Sequence, residues 1–201
     1  MKFTPELGIP GGCIKPLHYD DLDGLFELYQ HPEIPGQRPL ADKEQLNRMI
    51  DYSVQMAATQ RGMMWAIETD GQIKGMVSGF DWQASSLRIT MRVDGLPALS
   101  QSERGNALKA AMDFLTDKYH IRNFAYQWIE GQSEEIKSVL EELGFKKAAR
   151  FRRAWRTGNT DFADVEQYHW LSAQSKPVAR RLGDDDQLGQ NIDSSSSGEV
   201  K

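Results

Sequence analysis

Residues 85–129 read SSLRITMRVDGLPALSQSERGNALKAAMDFLTDKYHIRNFAYQWI, and their patterning decides the architecture. The opening residues, 85–93, alternate apolar and polar side chains as a strand does. Residues 94–104 carry Gly95 and Pro97 and read as a loop. From Gly105 to Tyr119, Leu108, Ala111, Met112, Leu115 and Tyr119 recur at helical spacing. Residues 123–129 are again strand-like. A strand, a crossover helix and a second strand make one parallel unit.

Working outward, every other connection is antiparallel. Ile14-Lys15-Pro16-Leu17 is a first strand. A helix over 20–30 follows, with Leu22, Leu25, Phe26 and Tyr29 on one face. Residues 31–40 hold Pro32, Pro35 and Pro39 and form a loop. Asp42 and Gln45 mark a capped second helix with Leu46, Met49, Ile50, Val54 and Ala57 as its stripe. Residues 63–69 and 72–80 pair around the Asp70-Gly71 turn, and 85–93 adds a third antiparallel strand. Ser133 opens a short helix that Gly144 ends, and residues 145–155 and 162–171 form a closing antiparallel pair. The order is β-α-α-β-β-β-α-β-α-β-β. It predicts a mixed α/β fold, with a mostly antiparallel central sheet and helices on both faces.

The chain has 201 residues, which favours one domain with a tail over two full domains. Residues 1–172 read as the domain. Residues 173–201 carry Asp184-Asp185-Asp186, a serine run and few large apolar residues, and read as a flexible polar tail. No apolar run can span a membrane, and no secretory leader opens the sequence. The single Cys13 excludes an internal disulfide and suits a reducing cytoplasm. His18, His31, His120 and His169 lack metal-ligand spacing, so no metal site is expected. A net charge of -5 argues against nucleic acid as a partner. One basic stretch stands out. Read as a strand, Lys146, Arg150, Arg152 and Arg156 share a face that would suit an acidic partner.

Several local sequences carry a family resemblance. Arg104-Gly105-Asn106-Ala107-Leu108-Lys109-Ala110 resembles the acyl-CoA loop of the GNAT N-acetyltransferases. Ser138-Val139-Leu140-Glu141-Glu142-Leu143-Gly144-Phe145 resembles the segment in which that family's last helix ends. Asp164, Tyr168 and Leu171 resemble the closing strand of the ribosomal-protein N-acetyltransferase branch. Ile14-Lys15-Pro16-Leu17, Asp21 and Pro32-Glu33 resemble its opening. The resemblance spans residues 14–171. It implies acetyl-CoA as acyl donor, held by backbone groups of Met91 and Val93 and by Arg104, Gly105, Asn106 and Ala107. A helix that opens at glycine offers unpaired N–H groups and a positive dipole end to a diphosphate.

The departures fall on the catalytic positions. Ser102 stands where that family has Gln or Arg, and Ser133 where it often has Asn. Ile136 and Leu140 stand where a Ser or Tyr protonates the departing thiolate. Residues 87–93 hold no carboxylate to act as base. Ser133 and Tyr126 are the leading candidates for the catalytic acid, beside Ser138 one turn along the helix; catalysis by positioning alone is the other reading. Trp82 and Trp128, near strand ends, are candidates for lining an acceptor pocket. The expected activity is acetyl transfer to a primary amine, on a small molecule or a protein N-terminus. The alternative is a non-catalytic protein of the same fold that binds acyl-CoA or a partner.

Overall fold

A computed structural model describes residues 3–172; the expected tail, residues 173–201, lies outside the described residues. The chain runs β1 (Leu7–Ile9), β2 (Gly12–Pro16), α1 (Leu22–Leu28), α2 (Lys43–Ala58), β3 (Met63–Thr69), β4 (Gln72–Gln83) and β5 (Arg88–Gly95). It continues through α3 (Gln101–Tyr119), β6 (Asn123–Ile129), α4 (Glu135–Glu142), β7 (Lys146–Arg156) and β8 (Phe162–Leu171). The eight strands form one sheet in the order β1-β2-β3-β4-β5-β6-β8-β7. Among the described residues only β5 and β6 pair in parallel. The expected mixed sheet is therefore present, extended by β1, which pairs with β2 at the edge.

Alternation along the strands assigns each face its helices. Trp65 and Ile67 of β3 point to the α3 side, where they join Leu108, Ala111, Leu115 and Val139 in the larger core. Ala66, between them, points the other way, to Leu25, Leu28, Leu46 and Ile50 of α1 and α2. A fully buried Leu or Trp contributes roughly 2 kcal/mol relative to exposure. The α3 face, richer in such residues, is the main stabiliser. The α1–α2 face is more lightly packed. No helix among the described residues is long and apolar enough to cross a membrane.

Four local features differ from the sequence reading. The third helix begins at Gln101 rather than Gly105, because Ser100 and Glu103 form a reciprocal capping box. The Glu103 carboxylate accepts the Ser100 N–H at 2.7 Å, and Ser100 Oγ accepts the Glu103 N–H at 3.3 Å. Strand β5 runs on to Gly95, since Asp94 and Gly95 still pair with Met76 and Gly75 of β4. The last strand, β8, inserts between β6 and β7, leaving β7 at the edge. Finally, β7 is bulged: its register against β8 shifts between Lys147 and Ala149 and again between Phe151 and Trp155.

Candidate active site

Strands β5 and β6 pair from Arg88↔Asn123 to Met91↔Tyr126 and then part. Beyond that point β5 stays with β4 as far as Gly95, and β6 stays with β8 as far as Ile129. The parting leaves a wedge whose β5 edge is Val93. Tyr126 fills it. Its Oη lies 3.5 Å from both the Val93 nitrogen and the Val93 carbonyl oxygen. Burial, with Asp94 and Glu33 adding like-signed effects, pushes the Tyr126 hydroxyl well above the ordinary tyrosine range. The group therefore keeps its proton at any physiological pH.

The wedge narrows to a recess of about 20 Å³ bordered by Val93, Arg104, Tyr126, Ser133, Ile136 and Glu33. Both candidate acids thus stand at one site. Ser133 Oγ accepts the Glu135 N–H at 3.2 Å at the head of α4, which leaves its own proton free to be donated. Arg104 enters from the first turn of α3 and forks onto Glu33, with Nη1 donating to Oε2 at 3.0 Å. Its guanidinium lies close to Gly95: a Cβ there would meet Leu99 Cδ2 at 2.5 Å and Arg104 Nη2 at 2.8 Å, so a larger residue would displace one of these side-chain ends.

The opposite side of β5 opens into a cavity of about 580 Å³ under α1 and α2. Its floor is Met76, Ser78 and Phe80 of β4. Its inner end is Arg92 and Asp94, which alternate with Val93 and so face away from the recess. Asp94 is 6% exposed and is held by Arg92 Nε at 2.9 Å and 2.7 Å to its two oxygens. Gln37, from the loop between α1 and α2, accepts from Arg92 Nη2 at 3.2 Å. Tyr29 closes that end, donating to Met76 Sδ at 3.3 Å.

Other expectations meet a different geometry. Gly105, Asn106 and Ala107 lie inside α3, not in a loop, and Arg104 N–H already bonds the Ser100 carbonyl at 3.0 Å. The N–H groups after it are used in the same helical ladder. A Cβ at Gly105 would meet Val139 at 3.6 Å, so the packing of the protein itself does not require glycine there. Trp82 lines the large cavity. Trp128 does not; its Nε1 donates to the Ser133 carbonyl, and the Lys137 ammonium sits 3.4 Å above its ring. The basic stretch does not form one face. The first bulge turns Lys146, opposite His169, and Arg150, opposite Glu166, to opposite sides of the sheet. Arg150 is bound to Asp164, and Arg156 to carbonyls of its own hairpin.

Asp94 is the residue the sequence reading missed. Gly95 and Pro97 mark residues 94–104 as a loop, yet Asp94 belongs to β5 and places a carboxylate one residue beyond the stretch 87–93 that lacks one. The alternation Arg92-Val93-Asp94 could have revealed it. Among the described residues no cluster of His, Cys, Asp and Glu could hold a metal ion.

The site can be tested against acyl-CoA, the group implied by the resemblance. The Val93 edge fits a pantetheine arm: its N–H and C=O lie beyond the last residue that β5 pairs with β6, where the two strands splay and only a side-chain hydroxyl bridges the gap. The head of α3 fits a diphosphate less well, since Glu103 places a carboxylate there.

No protein-family model matches the sequence, and no curated protein matches it. Solved structures do. One is RimL, a ribosomal L7/L12 alpha-N-protein acetyltransferase in complex with coenzyme A, at 13% identity and TM-score 0.73 over 83% of this chain and 97% of that one. Another is the microcin C7 self-immunity acetyltransferase MccE with acetyl-CoA and AMP, at 14% identity and TM-score 0.71, covering 81% and 97%. A third is Mycobacterium smegmatis RimJ with a CoA-disulfide, at 14% identity and TM-score 0.71, covering 86% and 88%. These likenesses concern the fold: eight strands parted at one parallel pair, with helices on both faces.

Proposed function

We propose that this chain, which has the fold of the GNAT N-acetyltransferases, is an acetyl-CoA-dependent N-acetyltransferase acting on a primary amine. One observation carries the reading. Strand β5 offers a backbone edge at Val93 that β6 does not pair on one flank and the Asp94 carboxylate, in a cavity of about 580 Å³, on the other. A donor and an acceptor brought to one strand from two sides gain the advantage of proximity.

When bound, acetyl-CoA supplies the acyl group as a thioester. The backbone of Val93, with Met91 as the last paired position before it, holds the donor arm. Arg104 stands at the mouth of the wedge, and Gly105, Asn106 and Ala107 lie farther along the helix. The amine enters the α1–α2 cavity as an ammonium ion drawn to Asp94. It must lose a proton before its nitrogen is nucleophilic, and Asp94 accepts that proton directly or through water. Tyr126 Oη, kept protonated by burial, donates to the departing sulfur. Ser133 is the second donor at the recess. The acceptor is a small amine or a protein N-terminus, met in the reducing cytoplasm that suits the free Cys13.

The test is amine-dependent release of free thiol from acetyl-CoA across small amines, amino acids and peptide N-termini, with the acetylated product identified by mass. No turnover above buffer with any acceptor overturns the enzyme reading. A second reading, a non-catalytic protein of this fold, is favoured by the recess of about 20 Å³, which Tyr126 and the Arg104–Glu33 pair close. It would be upheld by failure of both turnover and CoA binding in calorimetry.

A further inference from the structure

Four observations at the head of α3 bear on how the donor is recognised. The helix is capped by its own residues, with the Glu103 carboxylate accepting the Ser100 N–H and Oγ, each at 2.7 Å. That carboxylate is fixed from the other side by Thr69 Oγ1 at 2.6 Å and Lys74 Nζ at 3.3 Å. The N–H groups from Arg104 onward are spent inside the helix. Last, the nearby cations are already matched. Lys74 serves Asp70 as well as Glu103, and Arg104 serves Glu33. Gln101 Nε2 meets a fourth carboxylate, Glu142, at 3.4 Å. Among the described residues, the contacts at this helix start thus join four carboxylates, Glu103, Asp70, Glu33 and Glu142, to two cations. A diphosphate brought here would add negative charge to a region already net negative.

The arm end of the wedge is different. On the β6 side the Val93 N–H and C=O are met by the Tyr126 hydroxyl at 3.5 Å, the outer limit of a hydrogen bond. An amide of the donor arm can replace that contact with two better ones.

We infer that this chain recognises its acyl donor through the amide-bearing pantetheine arm and not through the diphosphate. An acyl-pantetheine that lacks the nucleotide is then a donor of comparable strength. The inference rests on the acyltransfer reading above and specifies which part of the donor carries the affinity.

The experiment is calorimetric titration of the full chain with CoA and, separately, with pantetheine. Where a nucleotide is gripped, removing it costs orders of magnitude. Here the two dissociation constants are expected to agree within about tenfold. A pantetheine constant more than about tenfold weaker overturns the inference while leaving the acyltransfer reading intact. Absence of binding by both ligands overturns that reading, and the inference with it. Glu103→Gln keeps the shape of the cap and removes its charge. It is expected to tighten CoA by about fivefold or more and to leave pantetheine unchanged. No change for CoA in a folded Glu103→Gln protein counts against the inference.

Discussion

The two flanks of β5 are built from the same eight residues and behave in opposite ways. Toward α1 and α2 the strand projects side chains, Arg92 and Asp94, into a cavity of about 580 Å³. Toward β6 it offers backbone, and the space left beside Val93 is about 20 Å³. The first flank is open because α1 and α2 pack on it with the smaller core. The second is closed because an aromatic side chain and an ion pair occupy a gap that strand pairing would otherwise fill. The roomy flank presents side chains and the tight one presents main chain, so the proposed proton transfer depends on residue identity while the proposed arm recognition depends little on the identity of residue 93.

The contrast is most easily broken at Asp94. Asp94→Asn keeps the shape of the cavity end but removes the proton acceptor, and kcat/KM for the amine is expected to fall about 100-fold or more, with little change in CoA affinity. Steady-state kinetics beside calorimetry separates the two flanks. An equal loss of CoA binding would mean that the open flank is not independent of the closed one.

The next effect concerns the charge at the head of α3. The Thr69 hydroxyl and then Ser100 hold the Glu103 carboxyl down at about 2, below the 4.5 it has when unconstrained. A carboxyl lowered by folding stabilises the native state above its unfolded pKa and loses that contribution as pH falls. The stability from Glu103 is thus complete above about pH 5 and disappears toward about pH 2. Because the side chain is partly solvated, the contribution is put at about 1 kcal/mol. Urea midpoints measured from pH 7 to pH 2 are expected to show a shallower acid loss in Glu103→Gln than in the parent.

The smallest effect is the sharpest for the geometry of the closed flank. Gly105→Ala places a methyl 3.6 Å from Val139 within a helix and is expected to stabilise the fold by about 0.5–1 kcal/mol without weakening CoA. A phosphate-cradling glycine would give the reverse. Chemical denaturation and calorimetry on the one variant decide between them.

Much of this was readable from residue patterns. The Asp70-Gly71 turn, the apolar spacing from Leu108 to Leu115 and the Gly144 helix stop placed the sheet and its helices as they are found. The site was harder because its features are decided by competition between local signals. Ser100 and Glu103 spell a capping box, but Gly105 is the louder helix-start signal in a chain expected to bind phosphate. Asp94-Gly95 spells a turn, yet pairing with Met76 and Gly75 carries the strand through it. The extra residue in β7 that separates Lys146 from Arg150 has no marker, since any residue type can occupy such a bulge. The insertion of β8 between β6 and β7 is equally silent, because period-two patterning says which face is buried but not which neighbour is paired.

That insertion governs the order in which the molecule can be made. During synthesis β6 emerges with one long edge bare, and β7, the next strand to appear, is not its partner. The edge from Asn123 to Ile129 waits for residues 165–171. The loop that supplies Glu33 and Gln37 to the site waits as well: Trp155 Nε1 anchors it through the Pro35 carbonyl at 2.9 Å, a contact spanning 120 positions of chain. Both the β6 edge and the loop beside the candidate site are therefore fastened by the β7–β8 hairpin. A nascent chain cut short before β8 would carry an uncovered strand edge and an untethered loop, the state most prone to aggregate.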